Sequence, residues 1–188
     1  MPYPEGHKLK VRGKIIESAA QAFRTNGIRD ISLPFIMKGA GLTHGGFYSH
    51  FDNKEQLVAE ACRYAIDDTI AYLREAAENA KGDPKIHAVI DYYLSQSHRD
   101  QTEMSCILPA LSSEISRSSE EVRNVYTQEL ERMIQFIADV AEVDVSTGSV
   151  LLSTMVGTLV LARSVNDPLL SDRLLASGKQ QAKELVAS

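Results

Sequence analysis

The chain has 188 residues, enough for one compact domain or two small ones whose core needs neither metal nor disulfide. Its two cysteines, Cys62 and Cys106, lack paired Cys/His spacing, which argues against a structural zinc site and fits a reducing, cytoplasmic compartment. The net charge of −5 disfavours nucleic acid only as an average: through Lys54 the chain carries net +4 and beyond it −9, the polarity expected when one end faces a polyanion.

With no tryptophan, few aromatics and no convincing period-two alternation, an all-α fold is expected. The polar, Pro-containing start (residues 1–8) reads as a flexible lead-in rather than a signal peptide or membrane anchor. From residue 8 to 26, Ile15, Ile16, Ala19, Ala20 and Phe23 recur at helical spacing behind a basic start of Lys8, Lys10, Arg12 and Lys14. Gly27 supplies the left-handed stop. Ser32 is the expected N-cap of a second helix, with Pro34 in its first turn, ending near Ala40. Gly41 then makes a tight turn, Thr43 caps a short third helix over residues 43–51, and Phe47 and Phe51 pack back on the first two.

A long helix begins near Lys54 and runs to about Ala80 through Leu57, Ala61, Tyr64, Ala65, Ile70 and Leu73, broken by Gly82-Asp83-Pro84. Further helices are expected over residues 86–97, over 104–116 around Pro109, and over 120–141 behind Ser118 and Ser119, with Val122, Val125, Tyr126, Leu130, Met133, Ile134 and Ile137 inward. Asp144 to Ser146 reopens helix for residues 150–165, the most apolar stretch. It is broken by Ser153, Thr154, Thr158 and Arg163 and falls short of the roughly 18 to 20 residues of a bilayer span, so it reads as a helix buried in protein, with no membrane role. Asp167-Pro168 opens the last helix.

The segment 39–57 reads GAGLTHGGFYSHFDNKEQL. Adjacent glycines each cost a helix roughly 0.8 to 1 kcal/mol against alanine, so Gly45 and Gly46 indicate a backbone needed at close range. A capped helix start with bare glycine, imidazoles and a phenol suits a phosphate backbone and base edges in a groove.

This run, behind two short helices and ahead of a larger helical body, closely resembles the TetR family of bacterial transcriptional repressors over roughly residues 8 to 60. The resemblance implies an N-terminal three-helix helix-turn-helix DNA-binding domain (8–54) and a larger C-terminal helical ligand-binding and dimerisation domain (55–188). It makes Ser32 to Ala40 the first helix of the helix-turn-helix, and Thr43 to Phe51 the recognition helix. Thr43, Tyr48 and His50 would then contact phosphates, His44 with Gly45 would face base edges beside Gly46, and Ser32 would also belong to the DNA-binding set. Lys54 would bring its ammonium and a helix N-terminus to a phosphate. Phe35 departs from the acidic residue common at its position, which weakens the local cap.

In the body, Tyr64, Tyr92, Tyr93, Met104, Cys106, Tyr126 and Met133 could line a cavity for a small organic inducer, or simply fill the core. Cys106, at a helix opening, is either a sensor thiol of lowered pKa or a buried apolar residue. His7, His87 and His98 show no ligand spacing, and no metal or cofactor is expected. The last two helices, through Leu151, Leu152, Met155, Leu159, Leu169, Leu174 and Leu185, would pair with a second copy, Gly148, Gly157 and Ala162 permitting close approach. The expected function is a homodimeric repressor on a near-palindromic operator, released by a small-molecule inducer, and not an enzyme. A helical enzyme with Cys106 as nucleophile and a helical adaptor without DNA are the alternatives.

Overall fold

A computed structural model describes residues 5–82 and 84–187, and these are helical with no strand among them. Asp83, read within a helix break, and residues 1–4 of the expected lead-in lie outside the described residues.

The first helix, α1 (Glu5–Asn26), buries Ile15, Ala19, Ala20 and Phe23 on one side. It stops where Gly27, at φ 79°, turns its N–H onto Phe23 O at 2.9 Å, a conformation that costs glycine no Cβ strain. Helix α2 (Leu33–Gly39) starts at Ser32, whose Oγ accepts the Phe35 N–H at 3.4 Å, with Pro34 in the first turn where a missing N–H costs nothing. Gly41, at φ 72°, then reverses the chain.

The third segment, His44–Ser49, is a 3-10 helix rather than the expected α-helix over 43–51. Thr43 sits in the N-cap backbone geometry, yet its side chain makes no cap hydrogen bond. Its hold on the head is apolar: Phe47 and Phe51 are buried and stacked with ring centroids 5.5 Å apart. Helix α3 (Lys54–Glu78) opens on Asn53, whose Oδ1 accepts the Gln56 N–H at 2.8 Å, and its buried face runs from Leu57 through Ala61, Ala65 and Ile66 to Ala77.

The body follows as α4 (Lys85–Tyr93), α5 (Gln96–Asp100), a 3-10 turn at Thr102–Met104, α6 (Ile107–Ile115), α7 (Glu120–Ala141), α8 (Val145–Ser164) and α9 (Pro168–Leu185). The stretch expected as one helix over 86–97 divides at Leu94, because Ser95 Oγ accepts the His98 N–H at 3.0 Å and starts a new helix. Ser119 and Asp144 cap α7 and α8 through Val122 N–H and Thr147 N–H.

Helix α8 opens at Val145 behind Asp144, where helix was expected to restart, and against the expected shortfall it is long and apolar enough, by length and composition, to cross a membrane. Its inner face, with Leu151, Leu152, Met155 and Leu159, is core, while Val145, Val150, Val160 and Leu161 lie outward and exposed. The small residues split the same way. A Cβ on Gly148 would stand 2.8 Å from Ala138 Cβ of α7, Ala162 is buried in the chain, and Gly178 of α9 leaves no room for a Cβ beside Thr158 of α8. Gly157 alone of the three expected at a partner interface meets nothing within 4 Å among the described residues.

Candidate nucleic-acid interface

The 3-10 helix presents one buried and one bare side. Phe47 points into the head, whereas Thr43, His44, Gly45, Tyr48 and Ser49 are exposed and Gly46 is half-exposed. Tyr48 keeps 65% of its surface accessible, its ring touching Phe47 edge-on with centroids 5.1 Å apart, so the phenol projects outward. Neither Gly45 nor Gly46 has a positive φ. A Cβ on Gly45 would meet nothing within 4 Å among the described residues, and one on Gly46 only Met37 Cε at 3.8 Å. Neither backbone conformation nor the chain's own packing therefore gives a reason for glycine at 45.

Lys8, Lys10 and Lys14 of α1 are exposed, and Lys8 is near enough to His50 to act on its imidazole. Three other basic residues of the head are engaged inside the molecule. Arg12 forms an ion pair with Glu60 of α3 and lies 4.4 Å from the Phe51 ring centroid. The Arg24 guanidinium is buried, donating to Asp68 Oδ2, Ala65 O and Glu103 O, each at 3.2 Å. Lys54, expected to place its ammonium on a phosphate, donates instead to Ile28 O and Ile31 O, both at 2.6 Å. Burial pushes its pKa down. Those carbonyls sit at the turn between α1 and α2 with no helical partner, and the ammonium satisfies them, so Lys54 braces the head while the amide end of α3 stays at the surface.

His50 is half-buried, and its Nδ1 is enclosed without a hydrogen-bond partner among the described residues. Burial, Lys8 and Arg12 lower its pKa, so the imidazole is neutral near pH 7. Ser32 is exposed with its Oγ accepting from the α2 cap, which leaves the hydroxyl proton for an outside acceptor.

The residues expected around an inducer separate into two groups. Tyr93, Cys106 and Met133 are fully buried core, and Tyr64 and Tyr126 are partly buried against it, Tyr126 Oη bonding Ser112 Oγ at 2.5 Å. Tyr92 and Met104 are exposed and line only a small surface niche of about 30 Å³ with His98. These positions do not together line an open cavity, because side chains already fill the space between α3, α4, α6 and α7.

Cys106 is fully buried, and burial raises its pKa against the lowering hydrogen bonds of Tyr93 and the Leu108 backbone, which favours the buried apolar reading over the sensor thiol. Cys62 is likewise pushed up to about 12 by burial. A sealed thiol of raised pKa is a poor nucleophile, so burial does not favour the enzyme alternative.

The dimer positions need a similar correction. Leu151, Leu152, Met155 and Leu159 are spent in the core of their own chain, and Leu174 is half-buried. Leu169, at 78% exposure, and Leu185 stay outward and share that exposure with Val150, Val160 and Leu161. Periodicity could not separate these faces, since α8 is apolar nearly all round.

Glu114 was missed altogether. Its carboxylate accepts the Ile28 N–H at 3.1 Å and the Arg29 N–H at 3.1 Å, from 86 and 85 residues away in sequence. No local pattern signals such a pairing.

Residues 15–61 match the family model of bacterial regulatory proteins, tetR family. The chain is 35% identical over 68 residues to the HTH-type transcriptional repressor KstR2 of Mycobacterium tuberculosis, covering 36% of this chain and 34% of that protein. It is 37% identical over 70 residues to the HTH-type transcriptional regulator TtgR of Pseudomonas putida, covering 37% and 33%. The chain thus matches about a third of the length of these curated relatives. Across the whole fold it is similar to a TetR-family transcriptional regulator from Cytophaga hutchinsonii (TM-score 0.77, 17% identity, 100% of this chain and 97% of that one). The reduced form of Escherichia coli NemR is also similar (TM-score 0.76, 18% identity, 93% and 96%).

Proposed function

Through residues 15–61 the chain belongs to the tetR family of bacterial regulatory proteins, and from that premise we propose that it is a DNA-binding transcriptional regulator acting as a repressor. The carrying observation is the bare face of Thr43, His44, Gly45, Gly46 and Tyr48, where glycine serves neither turn geometry nor internal packing. Thr43 and Tyr48 hydroxyls and the Ser32 hydroxyl proton contact phosphates, while His44 and the Gly45 backbone reach base edges. His50 supports this face as a neutral, half-buried ring. At Lys54 it is the amide end of α3, not the ammonium, that meets a phosphate.

The active form is a homodimer joined through the outward face of α8 and α9, with Gly157 at the line of closest approach and Val150, Val160, Leu161, Leu169 and Leu185 around it. Two heads then read half-sites about 34 to 36 Å apart, or a multiple of that, on one face of a near-palindromic duplex. A small organic molecule that binds better to a body opened around Tyr93 and Tyr126 shifts the population away from the DNA-bound state by its difference in affinity. Domain bounds of 8–54 and 55–188 follow this division of labour, with α3 shared.

Selection of bound sequences from random duplexes tests the reading: enrichment of an inverted repeat, with affinity falling steeply with salt, is the expected result. Absence of any enriched duplex would count against it.

A further inference from the structure

We propose that Glu114 is the positioning residue through which the body sets the DNA-reading head; this rests on the DNA-binding reading given above. The turn at residues 27–31 joins α1 to α2 and is held from two sides. On its N–H side, Glu114 of α6 accepts from Ile28 and Arg29, each at 3.1 Å. On its carbonyl side, the Lys54 ammonium of α3 takes Ile28 O and Ile31 O at 2.6 Å. Ser32, the cap of α2, follows directly.

Gly27 is fitted to this grip. Its φ of 79° suits glycine, and a Cβ there would overlap the Glu114 carboxylate. The carboxylate thus lies against bare backbone and reaches both amides without an intervening side chain.

The other end of α6 is embedded in the body. Cys106 N–H donates to His98 Nε2 at 2.9 Å, and Ile107, Leu108 and Leu111 are buried. Nine residues of helix span about 13 Å as a stiff rod, so a displacement of the buried end is delivered at Glu114. Arg12 and Arg24 also link α1 to the body, but Arg12 reaches Glu60 of α3 and Arg24 reaches α3 and Glu103, so both bypass α6. Rearrangement around Tyr93 and Cys106 therefore reaches α2 and the glycine face either by dragging the 27–31 turn or by releasing it.

The test uses the full chain, with two readouts: amide hydrogen exchange at Ile28 and Arg29, and affinity for a duplex selected from random sequence. Glu114→Ala is expected to melt cooperatively, speed both amides by about tenfold or more, and weaken duplex binding by about tenfold with base preference unchanged. Glu114→Gln, which keeps one accepting oxygen, should return both readouts to within about threefold of the parent. Leu108→Ala, or the milder Leu108→Val, perturbs the buried end of α6. It should change duplex affinity by about fivefold when Glu114 is present and by less than about twofold in the Glu114→Ala background.

Parental duplex affinity in Glu114→Ala, or equal Leu108 effects in both backgrounds, overturns the proposal. If the parent chain binds no duplex, the DNA-binding reading fails instead, and the exchange readout still decides the coupling. Faster Ile28 and Arg29 exchange in Leu108→Ala supports it, and unchanged exchange overturns it.

Discussion

His98 Nε2 accepts the backbone N–H of Cys106 at 2.9 Å, which fixes the proton on Nδ1, and that nitrogen donates to Tyr93 O at 2.6 Å. One neutral imidazole thereby ties the end of α4 to the start of α6, and burial lowers its pKa from 6.5 to about 4. Protonation would remove the acceptor that His98 offers the Cys106 amide.

The sign of the pH effect follows. The folded state resists a proton that the unfolded chain takes up at 6.5, so this contribution is full above that pH. It declines as pH falls from 6.5 toward 4 and is constant below. The loss amounts to about 3 kcal/mol across the window. Denaturant melts at stepped pH should reveal it, and His98→Leu should flatten that slope while lowering stability at neutral pH through the unpaired amide.

Gly45→Ala separates folding from binding. The site is open and its φ is not left-handed, so thermal stability should stay level or rise by up to about 1 kcal/mol. Duplex affinity should fall by about tenfold or more as the methyl holds the backbone off the groove. His44→Ala should instead alter which bases are enriched, with stability unchanged. A stable Gly45→Ala that binds as tightly as its parent would remove the reason given for glycine there.

Lys54→Ala tests a brace against a phosphate contact. Losing two charge-assisted bonds to turn carbonyls should destabilise the head by about 1 to 3 kcal/mol. The salt dependence of duplex binding should keep its slope, since no phosphate loses an ammonium. A slope flattened by about one unit with stability intact would reassign the residue to the DNA.

Leu161→Glu and Leu159→Ala, two residues apart on α8, should fail differently. The first places a charge on an exposed apolar face and should give folded monomers by sedimentation, with weakened operator binding. The second opens a cavity in the chain's own core and should cost about 2 to 5 kcal/mol of stability. A dimer unaffected by Leu161→Glu would place the interface elsewhere.

Helix class and most helix starts and stops were legible because they depend on local chemistry. Ser32, Asn53, Ser119, Asp144 and Asp167 announce helix starts by cap preference, and Gly27 and Gly41 announce stops by conformational freedom. The glycine pair stands out for the same reason, since intrinsic propensity disfavours it in any helix.

What the linear chain left open was the direction in which side chains face and the partners they find across long separations. Leu159 and Leu161 are equally apolar, and only packing against α9 and the core decides which one is enclosed. Lys54, Arg12 and Arg24 count as positive charge on paper, but each is drawn inward by carbonyls or a carboxylate brought near by folding. Glu114 meets Ile28 across 86 positions, a contact set by how α6 lies against the α1–α2 turn. Local propensity acts over a few bonds, whereas burial and ion pairing depend on distances that exist only once the helices have packed.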